Sequence, residues 1–301
     1  MKINLIKENF AVNDYEKRNK LLLASDAAVI LDLFASYKEN PRTPISMWEE
    51  KVNNITPEDI SNKPDIIRGT VLEPVVREQL IPLFHPDIKV VEDKNTYYSP
   101  DNDFMACHID GRIVSKPRLA EIKCPAFGPM TNWKRDGKYY IPDYVKAQCL
   151  HILACRTGIE GIDVFAYAGM EVIHLPLDRN QEEVDLYVKV AKQFWKCVVD
   201  KTPPAPINNR DLGYIDARKE RLDQYKEATP KDIIRLRDIE KKKKMIKILT
   251  AEIETDNFET KLDIGSCKGY KQNDEILCNL IRRKGKSGNT LSLTFPTSKV
   301  A

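Results

Sequence analysis

The stretch FMACHIDGRIVSKPRLAEIKCP, residues 104–125, decides how this chain is read. Apolar residues run through it in strand-like fashion, and Ser115-Lys116-Pro117-Arg118 in its middle has the composition of a turn. The reading is two strands, 104–114 and 119–124, joined by that turn. Side chains alternate across a strand, so Glu121 and Lys123 share one face while Ile122 takes the other. If the strands pair through the turn, Asp110 comes beside Glu121. Two carboxylates and an ammonium then converge at one edge of a sheet.

Hydrolysis of a phosphodiester needs such a set. Hard cations such as Mg²⁺ take oxygen ligands, and two close carboxylates bind one without a dedicated cage. A bound cation polarises the phosphoryl oxygen and activates water, and a second would stabilise the leaving oxygen. A lysine beside it orients the water and offsets the charge that builds on the phosphate. The main-chain carbonyl of Ile122 is a further candidate ligand. In a chain with 31% charged residues, an Asp followed by Glu-x-Lys also arises by accident, as paired charges on two surface strands. His108, two residues before Asp110, is a neighbour of the site and not a ligand, because Mg²⁺ prefers oxygen.

Working outward, residues 67–84 carry Val71, Leu72, Val75, Val76 and Leu80 at helical spacing, with a kink expected at Pro74 next to Glu73. Residues 19–34 read as another helix, with Ser25-Asp26 as a capping step, and 45–52 as a short one. Residues 90–98 read as a strand. Residues 144–157 form a helix ending at Gly158, and it carries Gln148. Segments 162–168 and 171–177 make a hairpin around Gly169, and 182–199 is an amphipathic helix ended by Thr202-Pro-Pro-Ala-Pro206. The fold class is therefore α/β: a central mixed sheet flanked by helices. The proline cluster sets the expected division into residues 1–210, carrying the site, and an extension of residues 211–301. In that extension Thr229-Pro230-Lys231-Asp232 opens a helix running to about 253, and a small β unit follows around Gly285 and Gly288.

Composition bounds the rest. An apolar fraction of 42% describes an ordinary globular chain, and no apolar run is long enough for a membrane span. The opening MKINLIKENF lacks a secretory signal, so the expected location is the cytoplasm. Seven cysteines without a C-x-x-C pair suggest reduced thiols, against a zinc site from Cys107, His108 and Cys124. Net charge is only +3, but residues 217–247 hold twelve Lys/Arg against six Asp/Glu. That run is either a solvated helical face or a stripe that tracks a phosphate backbone. Trp133, Tyr139 and Tyr140 among Lys134, Arg135 and Lys138 read as a basic, aromatic DNA contact or as a loop packed by its own aromatics.

The ordered set Ser25-Asp26, Arg68-Gly69-x-x-x-Glu73-Pro74, Asp110-Gly111, Glu121-Ile122-Lys123-Cys124-Pro125 and Tyr144-x-x-x-Gln148 resembles the YqaJ and phage lambda exonuclease family of the PD-(D/E)xK nuclease superfamily. The resemblance covers about residues 18–199. It implies a 5′→3′ exonuclease that degrades one strand of linear duplex DNA with free 5′ ends, leaving 3′ overhangs for recombination. It further implies that Asp110 and Glu121 hold Mg²⁺ (Mn²⁺ as substitute, two ions in all), completed by Glu73 and the Ile122 carbonyl. Lys123 would serve the attacking water, and Gln148 would steady the site. Arg18, seven residues before Ser25, would take the 5′-phosphate. The family prototype has another arginine after its Lys-Cys-Pro step, where this chain reads Ala126-Phe127-Gly128-Pro129-Met130; Lys134 and Arg135 are the candidates to replace it. A single-strand annealing recombinase as partner and a homo-oligomeric ring, trimer or tetramer, also follow from the resemblance. The alternatives are an endonuclease of the same superfamily and a non-catalytic DNA-binding scaffold.

Overall fold

The structure, a computed structural model, describes residue 10 and residues 14–34, 42–126, 132–167, 169–207, 209–216, 225–272, 275–285 and 288–295. The chain divides into two compact units, residues 1–220 and 221–301. The first opens with helices Tyr15–Asn19 (α1), Ala27–Ile30 (α2), Pro44–Val52 (α3), Pro64–Val75 (α4) and Ile81–Phe84 (α5). Strands Val90–Val91 (β1), Tyr97–Tyr98 (β2), Ala106–Cys107 (β3), Gly111–Ile113 (β4), Arg118–Lys123 (β5), Lys134–Arg135 (β6) and Lys138–Tyr139 (β7) follow. Helix Asp143–Cys155 (α6), strands Gly161–Tyr167 (β8) and Val172–Asp178 (β9), and helices Gln181–Val199 (α7) and Asn209–Asp216 (α8) complete it.

The central sheet has the order β1-β4-β5-β8-β9. It is mixed: β5 and β8 run parallel, with α6 as their crossover, and the other neighbours are antiparallel. Alternation along β5 sorts its residues between two cores. Leu119 joins Val145, Ile152 and Leu153 of α6 and Val184 and Phe194 of α7 on one face. Ala120 and Ile122 join Val76, Ile81, Val90 and Phe165 on the other. The fold is thus a helix–sheet–helix sandwich, the class expected for a sheet that contains a parallel pair.

Three expectations need correction. The helix read over 19–34 is broken: Leu22 lies extended, donating to the Phe104 carbonyl at 2.7 Å and accepting from the Ala106 amide at 3.0 Å. Pairing with β3 outweighs helical periodicity there. Asp26 makes no capping bond to the helix it precedes; its carboxylate instead accepts from the Leu23 amide at 3.2 Å. The strands read over 90–98 and 104–114 each divide into two short pieces serving different sheets, because β2 pairs with β3 outside the central sheet. Finally, the helix of 67–84 holds together, but hydrogen bonding widens to a π turn over Val76–Leu80. Pro74, which lacks an N–H, sits just before this turn.

In the second unit, Thr229 caps helix Pro230–Ile264 (α9) by accepting from the Asp232 amide, and the helix runs past the end expected at 253. Strands Gly269–Gln272 (β10), Glu275–Gly285 (β11) and Gly288–Thr294 (β12) form an antiparallel sheet with Gly285 opposite Gly288. In the first unit, α8 spans the division expected at 210/211. Its Arg210 donates to the Arg42 carbonyl at 2.9 Å, and Tyr214 bonds Glu49 of α3.

Candidate active site

The β4–β5 register, Gly111 opposite Ala120 and Arg112 opposite Leu119, carries back to set Asp110 opposite Glu121. Both acids therefore stand on one side of the sheet. Gly111 is what lets β1 lie close beside β4 here: a Cβ at this position would sit 2.5 Å from Val90 Cγ1 and 2.8 Å from the Val91 carbonyl. Asp110 is anchored by the Ile122 amide, which donates to its Oδ2 at 2.6 Å. Glu121 is only 1% exposed and accepts from Lys123 Nζ, its neighbour on the same face. From α6, Gln148 Oε1 accepts a second Lys123 bond at 3.0 Å. One lysine thereby ties the strand to the crossover helix.

Glu73 enters from α4, held by Arg77 one helical turn on (3.1 Å). Arg77 is buried and also donates to the Asp110 carbonyl at 3.3 Å and to Glu92 at 3.2 Å. Arg68, from the same helix, donates to the Cys124 carbonyl at 3.0 Å, just past Lys123. Arg77 escaped the sequence reading. Its signal was available, because a Glu and an Arg four residues apart share a helix face.

The electrostatics of the group follow from crowding. Burial, reinforced by the Asp110 carboxylate, raises Glu121 to about 7 and Glu73 to about 7. Burial likewise raises Asp110, against the pull of Lys123 and the Ile122 amide. Burial works against the Lys123 ammonium too, but Glu121 and Asp110 more than offset it and push its pKa up. The three acids thus lie close enough for Asp110 to help raise both Glu73 and Glu121. The donors are all oxygen, and that chemistry fits a hard divalent cation. Among the described residues, no three His, Cys, Asp or Glu side chains are already gathered as a ligand cage; Glu121 is engaged by Lys123 and Glu73 by Arg77.

A second cluster lies around α1 to α3. Arg18 Nη2 donates to Ser25 Oγ at 3.3 Å, so the two residues do meet. Lys51, buried, holds this segment from beneath. Its Nζ donates to the Leu21 carbonyl at 2.7 Å, to Asp26 Oδ2 at 3.0 Å and to the Arg18 carbonyl at 3.3 Å. Burial alone would raise the Asp26 carboxyl, but Lys51, Arg42 and Arg18 bring it down to about 2. No sequence signal pointed to Lys51, whose partners lie 25 residues or more away.

Lys134 and Arg135 sit exposed on the β6–β7 hairpin, their charges over the rings of Tyr139 and Tyr140. Trp133 belongs to the core at 1% exposure and is not a surface for stacking bases. His108 turns from the site to Thr96 Oγ1 (2.9 Å) and the Phe10 carbonyl (3.2 Å). All seven cysteines are free thiols. Residues 127–130, where the prototype's second arginine is missing, and 217–224 of the basic segment lie outside the described residues.

Residues 15–160 match the model of the YqaJ-like viral recombinase domain. The matched region contains every residue of both clusters. Among solved structures, the chain is similar to an alkaline exonuclease from Laribacter hongkongensis, at 19% identity over 67% of this chain and 96% of that one, with a TM-score of 0.47. The same enzyme in complex with dAMP gives 20% identity, the same coverage and 0.48. A phage-related exonuclease from Haemophilus somnus gives 10% identity over 60% of this chain and 96% of that one, with 0.39. No curated protein sequence matches the chain.

Proposed function

We propose that the first unit is a divalent-metal-dependent deoxyribonuclease that resects linear duplex DNA from its 5′ ends. The supporting observation is the convergence of Asp110, Glu121 and Lys123 at the end of two strands in register, with Glu73 and Gln148 arriving from the flanking helices. Asp110, Glu121 and Glu73, with the Ile122 carbonyl, would hold Mg²⁺ or Mn²⁺, one ion or two. When bound, such a cation supplies the positive charge that polarises the phosphoryl oxygen and acidifies the attacking water.

The chain's own residues do the rest. Lys123 stays protonated at Nζ, so it orients the water as a donor and faces the charge growing on the phosphate. Gln148 and Glu121 hold that ammonium in place through its other protons. Arg77 keeps Glu73 and the Asp110 backbone together. Arg18 and Ser25, joined over Lys51, form the pocket for a 5′-phosphate, and an exposed Lys134–Arg135 hairpin grips the backbone beyond it. The 5′→3′ direction, the ring assembly and delivery of 3′ overhangs to an annealing recombinase belong to this reading through the family resemblance.

The test is digestion of linear duplexes labelled separately at each end, carrying 5′-phosphate or 5′-hydroxyl, with Mg²⁺ or with EDTA. Loss of label from the 5′ end, dependent on metal and faster with the phosphate, is expected; equal release in EDTA refutes the proposal. A covalently closed circle should remain intact, and its cleavage would mark an endonuclease instead. Lys123→Ala should lower cutting on the order of 10²-fold or more while duplex binding persists.

A further inference from the structure

Charge is divided unevenly between the two units. Residues 1–220 carry thirty Lys/Arg against thirty-three Asp/Glu, and residues 221–301 carry eighteen against twelve. The unit with the carboxylate site is net acidic, and the excess positive charge of the chain lies wholly in the other.

Helix α9 concentrates that excess. Residues 230–247 hold eight Lys/Arg and three Asp/Glu. Each acid is already paired within the helix: Asp232 with Arg235, Asp238 with Lys242 at 2.7 Å and Glu240 with Lys244 at 2.8 Å. Lys231, Arg237, Lys241, Lys243 and Lys247 are exposed and make no ion pair among the described residues. Arg237 and Lys241, like Lys243 and Lys247, stand four residues apart, where like charges weaken a helix. At about 100° per residue, five of the six cations of residues 237–247 fall on one side of α9, within about 160° of arc. Lys242 takes the other side with its partner Asp238.

A face that gathers uncompensated like charge, at a cost to its own helix, is complementary to a polyanion. It is about 15 Å long at 1.5 Å per residue, and a duplex presents about nine phosphates over that length. An anionic membrane is the poorer fit, because a helix lying on lipid needs one apolar side. The exposed Ile234, Leu236, Ile239, Met245 and Ile246 instead fall all round α9.

We infer that the basic face of α9 is a second DNA grip, one that holds duplex phosphates and needs neither a free 5′ end nor a metal. The choice of duplex DNA as the polyanion rests on the nuclease reading.

The experiment is binding of the full chain to a covalently closed duplex circle in EDTA, measured by filter retention between about 50 and 200 mM salt. A circle offers no end for the first unit to engage. One variant, Arg237→Gln/Lys241→Gln/Lys243→Gln/Lys247→Gln, removes four cations and keeps good helix formers in their place. A second, Arg237→Lys/Lys241→Arg/Lys243→Arg/Lys247→Arg, keeps the charge, and circular dichroism checks that both stay helical. The wild-type chain should bind the circle, with log Kobs falling linearly with log salt. The glutamine variant should lose roughly 3–4 from that slope, about 0.9 for each phosphate no longer neutralised, and on the order of ten-fold or more in affinity at about 0.1 M salt. The charge-keeping variant should match wild type. An unchanged slope in the glutamine variant overturns the inference, and so does binding to anionic lipid vesicles with none to the circle. Digestion of linear duplex in Mg²⁺, read alongside, tests the nuclease reading separately: a chain that cuts nothing but binds the circle through these four cations still supports the grip.

Discussion

Arg77 offers the sharpest way to separate positioning from simple stability. Its guanidinium is buried, yet three of its partners, Glu73, Glu78 and Glu92, have side chains more than a third exposed. Such pairs fall in the screened range of roughly 0.2–1 kcal/mol each. The bond to the Asp110 carbonyl adds about 1 kcal/mol. Arg77→Met keeps most of the aliphatic packing, so its expected cost is about 2–4 kcal/mol. A domain of ordinary stability, about 5–15 kcal/mol, remains folded after that loss. The effect on cutting should be disproportionate. Without the fork, Glu73 and the Asp110 backbone are no longer held to one another, and a displacement of about 1 Å can cost on the order of 10²-fold in rate. Arg77→Lys should recover part of the stability and little of the rate, because one ammonium cannot reproduce a fork whose Nη1 holds Glu73 and the Asp110 carbonyl while Nη2 holds Glu78 and Glu92. The assays are urea unfolding for stability, duplex Kd by anisotropy, and kcat on 5′-phosphorylated linear DNA. Wild-type kcat in a measurably destabilised Arg77→Met would refute the positioning role; loss of kcat in proportion to unfolded protein would make it merely structural.

Two further outcomes concern the scaffold. His151, fully buried on α6, faces the Ala106 carbonyl through Nε2 at 2.9 Å and the Tyr187 hydroxyl through Nδ1 at 2.7 Å. A carbonyl can only accept, so Nε2 carries the proton and Nδ1 accepts from Tyr187. Burial lowers its pKa from 6.5 to about 4, and at about 1.4 kcal/mol per unit the neutral ring contributes about 3 kcal/mol. That contribution is whole above pH 6.5 and is lost as pH falls through 4. His151→Gln should flatten this part of the stability–pH curve; an unchanged slope between pH 6.5 and 4 would show that another group carries it. Lys51→Met removes the nearest cation from the buried Asp26 carboxylate, leaving Arg42 at 3.7 Å, and should cost about 3 kcal/mol. Pairing it with Asp26→Asn should restore most of that loss, and thermal unfolding that shows no such restoration would deny the coupling.

The parts of this protein legible in its residues were those governed by local rules. Alternation along residues 118–123 placed Glu121 and Lys123 together, and the turn before Arg118 brought Asp110 to the same edge. Helical spacing found the crossover helix and the long helix of residues 181–199, and Thr229 with Pro230 marked the start of α9. Pro74 marked where the helix carrying Glu73 would be disturbed. What the chain alone could not disclose were contacts between residues far apart in sequence. Leu22 looked helical but joined a strand, because pairing with residues 104–106 satisfied its backbone better than a helical turn would. Trp133 read equally as a surface for bases or as part of a loop packed by its own aromatics, and it fills the core. Lys51 carried no sign of its three acceptors, and Arg77 no sign that it reaches the Asp110 backbone as well as Glu73. Periodicity reports which face a side chain takes; only the packed fold determines what stands opposite that face, and a buried charge goes where its partners are.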